Sequence, residues 1–522
     1  MSLIRNFATV STATMSSRVL GFVRDMAMAY AVGAGLVADA FVVAWRLPNL
    51  FRRLFAEGAF NSAFVPLFAK EIDGEDLGPA RRFAEEALSA LTAVLVVITI
   101  LAELAMPGVM LVLAPGFAGD AEKFDLAVLL GRIAFPYLLL ISLTALAGGA
   151  LNSLGRYAAA AFAPALLNAV LIAALAYIWW AGFVGTKTAG VILTWGTVIG
   201  GLFQLLMLVV AMWRAGLRLR LRLPRLTPGV KRLVTLGLPG VVAGGVTQFN
   251  IVIGTMIATL QASAVAYLYY ADRLYQLPLG VIGVAIATVL LPELSRRLKA
   301  GDPGAVAHTQ NRSLEFAVLL TLPAAVALAI SPVPIVRVLF ERGEFDAEST
   351  RQTAAALAAF AAGLPGFVLI KVFSPGYFAR EDTRTPMFYA AVGVAVNVIG
   401  SLALFWPFGH VGIAAATSIS GAVNAALLGW TLRRRGHFVT DRRLIERLTR
   451  IALASACMGL ALFALQHALG PYFQPRAGMA AQFAALGLLV GGGLVAFGLA
   501  AILTGAIRRD EIASLLHRRR PA

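Results

Sequence analysis

Ser16-Ser17-Arg18-Val19-Leu20-Gly21-Phe22-Val23-Arg24-Asp25 sets two arginines inside an apolar run that extends from residue 6 to residue 32. A run of that length can span a bilayer, which takes about 20 apolar residues. A charge near the bilayer centre costs roughly 2.5–3.5 kcal/mol on insertion scales, so it faces a partner, a cavity or a substrate. The pattern recurs further along. Asp39 and Arg46 lie within the next apolar segment, Arg52 and Arg53 at its end, and Arg273 inside the segment Ala264 to Leu294. Buried arginines on separate helices describe a wet cationic cavity suited to an anion, a phosphate or a carboxylate, because guanidinium binds both through two parallel hydrogen bonds. Arg18 and Asp25 are seven residues apart and share a helical face, as do Ser17 and Arg24. Arg18 and Arg24 are about 120° apart on a regular helix, so both reach one cavity only if the helix bends, and Gly21 offers the place. The competing reading is a structural Arg24–Asp25 pair or a snorkelling Arg18.

The composition extends this to the whole chain. Mean hydropathy is +0.81, 59% of residues are hydrophobic and 14% are charged; a soluble domain carries about 25% charged residues. Fourteen apolar segments follow one another: 6–32, 35–55, 80–105, 124–150, 158–182, 188–214, 231–257, 264–295, 311–335, 352–378, 385–407, 411–432, 446–468 and 479–507. The expected fold is therefore an all-α polytopic membrane protein of 14 transmembrane helices. The net charge of +17 is distributed by topology. With the N-terminal side called "in", the in-side connections hold 32 Lys and Arg and the out-side connections 6. This is a positive-inside pattern with both termini cytoplasmic, and it reads as contact with anionic lipid rather than nucleic acid. No cleavable signal peptide is expected, because Arg18 and Arg24 interrupt the first apolar run. Cys457 is the only cysteine, so no internal disulfide and no thiolate metal cage can form.

The chain also carries a repeat. Phe135-Pro136-Tyr137 precedes Asn168 by 32 residues counted from the proline, and Leu364-Pro365-Gly366 precedes Asn397 by the same 32. Arg46-Leu47-Pro48 leads to Phe64-Val65-Pro66, and Arg273-Leu274 leads to Leu291-Pro292 with a slip of one residue. Six segments per repeat is an even number, so two six-helix lobes related as parallel repeats are expected, a transporter pattern. The expected division is an N-terminal lobe over 1–214, a basic cytoplasmic linker over 215–230, a C-terminal lobe over 231–435 and a C-terminal helix pair over 446–507.

Other charged residues keep two readings open. Asp39 and Arg46 share a face that Asn49 and Arg53 continue, either lining the cavity or forming an internal ion pair that offsets two buried charges. Arg52 and Arg53 sit where positive-inside anchors snorkel. Asp272 is a candidate partner for Arg273. Arg132 and Lys371 are read as structural. Nothing in the sequence suits catalysis: it has no phosphate-binding loop, no His-Glu-x-x-His and no metal spacing among the five histidines. The one candidate for an enzyme, a polyprenyl-phosphate glycosyltransferase, would be the short acidic loop Glu341–Glu348. A cation-coupled multidrug or polysaccharide-lipid exporter is the transport alternative, and the arginine excess speaks against a cavity for cationic drugs.

With these residues in hand, the chain resembles the MurJ (MviN) lipid II flippases of the multidrug/oligosaccharidyl-lipid/polysaccharide exporter superfamily, along essentially its whole length. The likeness is densest in Ser17–Asp25, Asp39-Ala40-Phe41, Leu47–Arg53, Phe55-Ala56-Glu57-Gly58-Ala59-Phe60-Asn61-Ser62-Ala63-Phe64-Val65-Pro66 and Tyr269–Leu274. It implies two six-helix lobes forming a V, with a final helix pair that makes a groove for a lipid tail. The implied substrate is lipid II, an undecaprenyl pyrophosphate carrying the peptidoglycan disaccharide-pentapeptide, flipped across the bacterial inner membrane. The implied pyrophosphate-binding residues are Arg18, Arg24, Arg52 and Arg273. Ser17, Asp25, Asp39, Asn49, Arg53 and Glu57 are supporting or gating positions, with Glu57 near the inner gate. Some members hold sodium through acids on helices seven and eleven. Here helix seven offers Thr247, Gln248 and Asn250 but no acid, and helix eleven keeps Asn397 followed by Ser401. Asn397 is thus the one sodium-site candidate, and no cofactor is expected. The expected mechanism is alternating access driven by membrane potential. The expected partners are lipid II, membrane lipids and, around a monomeric transporter, proteins of cell-wall synthesis.

Overall fold

The computed structural model describes residues 2–52, 60–72 and 76–507, which are helical almost throughout. Seventeen α-helices occur among the described residues: α1 (Ser2–Val32), α2 (Leu36–Phe51), α3 (Phe60–Lys70), α4 (Gly78–Leu113), α5 (Ala121–Ala134), α6 (Tyr137–Ser153), α7 (Ala158–Trp180), α8 (Lys187–Arg214), α9 (Pro228–Ala258), α10 (Ala264–Lys299), α11 (Pro303–Ile330), α12 (Pro332–Phe340), α13 (Ala347–Phe378), α14 (Arg384–Phe408), α15 (His410–Arg434), α16 (Arg442–Ala468) and α17 (Met479–Leu503). Ten spans among the described residues are long and apolar enough to cross a membrane, α5 and α6 together forming one of them. The chain is therefore a multi-span membrane protein, since only structures that satisfy every backbone polar group internally can cross the hydrocarbon core.

Local chemistry explains the breaks between helices. Asp120, Thr186, Thr227, Asp302 and Asp441 each accept the backbone N–H three residues on, so a side chain caps the start of α5, α8, α9, α11 and α16. Pro136 divides the apolar segment 124–150 into α5 and α6, because a proline removes a donor and crowds the preceding turn. Pro332 starts the short α12 after Ser331 ends α11.

Two compact units form: Met1–Ala266 with Arg342–Asp346, and Tyr267–Glu341 with Ala347–Ala522. The first is centred on Phe64, Phe68 and Phe83, whose rings stack at 5.4 and 5.7 Å. Leu146, Ala150, Leu208 and Met212 of α6 and α8 close around them. The core of the second unit gathers Leu290, Leu294, Leu314, Val372, Tyr377, Leu428 and Leu432 from α10, α11, α13 and α15. Met458, Leu462, Ala485 and Leu489 pack the pair α16–α17 together and against Val338 of α12. Large apolar side chains elsewhere point outward, as on α4 at Ile100, Leu101 and Leu104. That is the expected surface of a helix whose solvent is lipid.

Residues 342–346 enter the first unit through close backbone approach. Glu344 N–H donates to Tyr30 O at 3.1 Å. A Cβ at Gly33 would lie 2.4 Å from Glu344 O, and Gly33 holds φ +60°, which only glycine adopts without strain. The short acidic loop is thus bound into packing.

In the second unit, the α13–α14 connection is tied to the end of α15. Arg435 Nη1 donates to Asp382 Oδ2 at 2.7 Å, and Thr385 donates to the same carboxylate from its N–H at 3.0 Å and its hydroxyl at 2.7 Å. Burial pushes this carboxyl up, but these hydrogen bonds outweigh it and hold its pKa at about 2. The unfolded value is about 3.9. A depressed carboxyl stabilises the fold above the unfolded value, and that contribution is lost as pH falls towards 2. The difference in melting temperature between wild type and Asp382→Asn is therefore expected to be constant from pH 7 to pH 5 and to narrow below pH about 4. A gap that does not change with pH in that lower window would show that the carboxylate charge is not what ties the loop.

Candidate functional site

The charged residues of α1 are in two different states. Arg24 is 8% exposed and fully engaged. Its Nε and Nη2 donate to Asp25 Oδ1 at 3.1 and 2.6 Å, and its Nη1 donates to Asn168 Oδ1 on α7 at 2.8 Å. Its guanidinium also sits 5.1 Å over the Trp45 ring of α2. Asn168 is held in turn, since its Nδ2 donates to Ser17 O at 3.0 Å. A Cβ at Gly21 would approach Asn168 Nδ2 at 3.3 Å, so the glycine lets α7 close onto α1 at this level. Arg18 is the opposite case. It is exposed and has no hydrogen-bond or ion-pair partner among the described residues. An open cavity of about 760 Å³ runs along the adjoining surface of α1, lined by Ser11, Thr12, Met15, Ser16, Val19 and Leu20.

On α2, Asp39 has no exposed surface and meets donors on every side. Lys123 Nζ of α5 lies 2.5 Å from Oδ2. Ser263 N–H donates to Oδ2 at 3.0 Å and Ala266 N–H to Oδ1 at 2.8 Å, so the carboxylate caps the start of α10. Lys123 is itself 7% exposed and lies 4.3 Å over the Phe117 ring. The sequence leaves Asp39 either lining the cavity or paired with Arg46; the structure gives it Lys123 as its ion-pair partner, while Arg46 Nη1 donates to Thr255 Oγ1 on α9. Asn49 Nδ2 bonds to Trp45 O at 2.9 Å, and Arg52 is half-buried just beyond the end of α2. Arg53 and Glu57 lie outside the described residues.

Arg273 belongs to the second unit, on α10, with its guanidinium 4.7 Å over the Tyr269 ring. Neighbouring Asp272 accepts from Gln276 Nε2 one turn along. Asn397 of α14 is buried and accepts from Thr417 Oγ1 at 3.1 Å; Ser401, a turn further on, is also buried. Among the described residues no group of three or more His, Cys, Asp or Glu comes together as metal ligands.

On α1, Arg18 has no hydrogen-bond or ion-pair partner among the described residues, and Arg24 is oriented by a carboxylate, an amide and a ring. The family whose description is "Lipid II flippase MurJ" matches residues 28–479. The chain belongs to the MurJ lipid II flippase family. A probable lipid II flippase MurJ of Rhizobium meliloti (strain 1021) is 54% identical over 464 residues, which cover 89% of this chain and 86% of that protein. A MurJ relative from Rhizobium tropici, described in the same words, is 49% identical over 523 residues, covering 100% and 98%. The solved structure "Lipid II flippase MurJ, inward closed conformation" shares the fold with a TM-score of 0.78 at 24% identity, over 94% of this chain and 97% of that one. An inward-facing multidrug resistance MATE transporter of the MOP superfamily superposes with a TM-score of 0.67 at 17% identity, over 82% and 98%. MurJ membership bears out the resemblance read from the sequence.

Three participants escaped sequence reasoning. Lys123 reads as an out-side charge and proves to be the buried partner of Asp39. Asn168 reads only as a repeat landmark and proves to orient Arg24. Glu85 of α4, with no exposed surface, accepts Arg81 Nε at 3.0 Å and lies 2.5 Å from Arg222 Nη2. The spacing of Arg81 and Glu85, four apart on a helix, is the one signal that could have found the last of these.

Proposed function

We propose that this chain flips lipid II from the cytoplasmic to the outer leaflet of the bacterial inner membrane by alternating access, as a transporter and not an enzyme. The observation that carries this is the contrast on α1, in a member of the lipid II flippase family: Arg24 is held ready by Asp25 and Asn168, and Arg18 is exposed with no partner among the described residues. Arg18, Arg24, Arg52 and Arg273 together take the pyrophosphate, with Ser17, Asp25, Asp39, Asn49, Arg53 and Glu57 supporting the site or gating it. Fourteen spans form two parallel six-helix lobes and a final pair, with both termini cytoplasmic.

A matched pair of buried acids supports the repeat. Glu85 and Glu315 are 230 residues apart, against 229 for Pro136 and Pro365 and for Asn168 and Asn397. Arg82 and Arg312 keep the same spacing of 230. Each glutamate is buried, Glu85 in the first third of α4 and Glu315 midway along α11, and each takes an arginine that follows the last helix of its proposed lobe. Arg222 does so after α8, and Arg447, at 3.1 Å from Glu315, after α15.

An anion leaving a cell that is negative inside is favoured by about 2.3 kcal/mol per charge per 100 mV, and the emptied cationic cavity is drawn back by the same field. Both half-cycles then run downhill without nucleotide. A coupling sodium at Asn397 is not required by this scheme. The test is lipid II accessibility at the outer face of spheroplasts depleted of the protein, alongside flipping in sealed vesicles with an imposed potential. Depletion is expected to leave lipid II inside, and a negative-inside potential is expected to speed export. Lipid II reaching the outer face at an undiminished rate after depletion would overturn the function, and indifference to potential would overturn the drive.

A further inference from the structure

Between α8 and α9 the chain runs Arg218-Leu219-Arg220-Leu221-Arg222-Leu223-Pro224-Arg225-Leu226 without regular secondary structure. The segment is nevertheless fastened along its length to α4. Arg220 N–H donates to Glu85 Oε1 at 3.2 Å, Arg222 N–H to Ser89 Oγ at 2.9 Å, and Thr227 Oγ1 to Glu86 Oε2 at 2.6 Å. The Arg222 guanidinium turns back onto Glu85 at 2.5 Å.

Extended backbone sends alternate side chains to opposite faces. Leu217 and Leu219 obey this and pack into the core beneath. From Leu221 onward the leucines leave it: Leu221, Leu223 and Leu226 are 68%, 81% and 74% exposed. Arg218, Arg220 and Arg225 are exposed among them. The adjoining helix ends also turn apolar side chains outward, Trp213 in the last turn of α8 and Val234 and Leu236 near the start of α9. Tryptophan at the end of a spanning helix marks the level of the lipid headgroups. The strap offers little to a partner strand, because the N–H groups of Arg220 and Arg222 are already used and Pro224 has none.

We propose that residues 218–226 form an in-plane anchor on the membrane surface. Leu221, Leu223 and Leu226 enter the boundary between headgroups and acyl chains, and Arg218, Arg220 and Arg225 bind the phosphates of anionic phospholipid. Interleaved arginine and leucine at that level match an acidic lipid surface in both charge and polarity. The anchor rests on the topology stated under Proposed function only for the leaflet it engages, the cytoplasmic one.

The test uses the full-length protein with Cys457→Ala, which removes the only thiol, and a bimane label on Leu223→Cys or, separately, on Leu226→Cys. The labelled proteins are placed in nanodiscs of phosphatidylcholine with and without phosphatidylglycerol. Both labels are expected to be quenched several-fold more by doxyl lipid than by aqueous iodide, and more strongly with the anionic lipid present. Arg218→Gln with Arg225→Gln is expected to abolish that dependence on anionic lipid, and neither side chain touches Glu85. Free access of iodide with no doxyl quenching at both sites overturns the anchor, as does shielding that appears only when soluble protein is added. The readout needs no lipid II, so it stands apart from the transport reading. Labelling with an impermeant maleimide in spheroplasts and inverted vesicles assigns the leaflet; reaction in intact spheroplasts would overturn the cytoplasmic placement.

Discussion

Arg18→Ala is expected to lower delivery of lipid II to the outer face at least tenfold while leaving the stability of the protein unchanged. Arg24→Ala is expected to lose both. The difference follows from their surroundings. Arg18 has no partner among the described residues, and replacing an exposed side chain of that kind shifts stability by about 0.5 kcal/mol or less. A tenfold fall in rate then reports about 1.4 kcal/mol of lost substrate interaction. Arg24 answers Asp25, which is 3% exposed, and removing one member of a buried pair costs roughly 3–5 kcal/mol because the other charge stays behind. Arg24→Lys keeps the charge but not the geometry. An ammonium cannot reproduce the planar fork that serves Asp25 and Asn168 at once, so partial loss of both properties is expected. Thermal melting of the purified variants, beside lipid II accessibility in spheroplasts at matched protein levels, separates the two effects. Arg18→Ala flipping at the wild-type rate would make that arginine a lipid-surface residue and remove it from the site.

How much of this was legible in the chain differs by residue. The all-helical, multi-span class was, because a span needs about 20 apolar residues and such segments recur along the chain. Pro136 and Pro332 divide two of those segments, as a missing donor and a crowded turn require. The arginines of α1 stood out because charge in an apolar run is costly wherever it falls. Their partners did not. Arg24 has an adjacent carboxylate in sequence, yet its second acceptor, Asn168, is 144 residues away. Asp39 appeared to have Arg46 on its own face, but a fixed carboxylate goes to the donors that tertiary packing brings. Here those are Lys123 and two backbone N–H groups at the start of α10. Periodicity reports which face a residue occupies; it carries no information on what another helix brings to that face. The linker shows the same limit. Its arginines read as plain positive-inside charge, whereas the burial of Glu85 and the exposure of Leu221, Leu223 and Leu226 emerge only once α4 lies beside it.

Asp39→Ala is expected to destabilise the protein by about 3–5 kcal/mol, the range for breaking a buried ion pair from one side. Three groups lose their acceptor at once: the Lys123 ammonium, which is 7% exposed, and the N–H groups of Ser263 and Ala266. Ser263 adds to the loss because it holds φ at 61°, a left-handed conformation that a residue with a side chain keeps only when its surroundings impose it. Asp39→Asn retains an acceptor for the backbone while surrendering the charge, so its loss is expected to be smaller and to come mainly from stranding Lys123. Adding Lys123→Met to Asp39→Asn is then expected to recover part of that loss, since it removes the uncompensated cation and leaves an apolar chain against Phe117. Melting of the two single variants and the double variant completes a double-mutant cycle. Strictly additive losses would mean that Asp39 acts through the start of α10 alone. Because no step of lipid II binding enters a melting temperature, a double variant that melts like the wild type but fails to export lipid II would place the Asp39–Lys123 charge in the transport cycle itself.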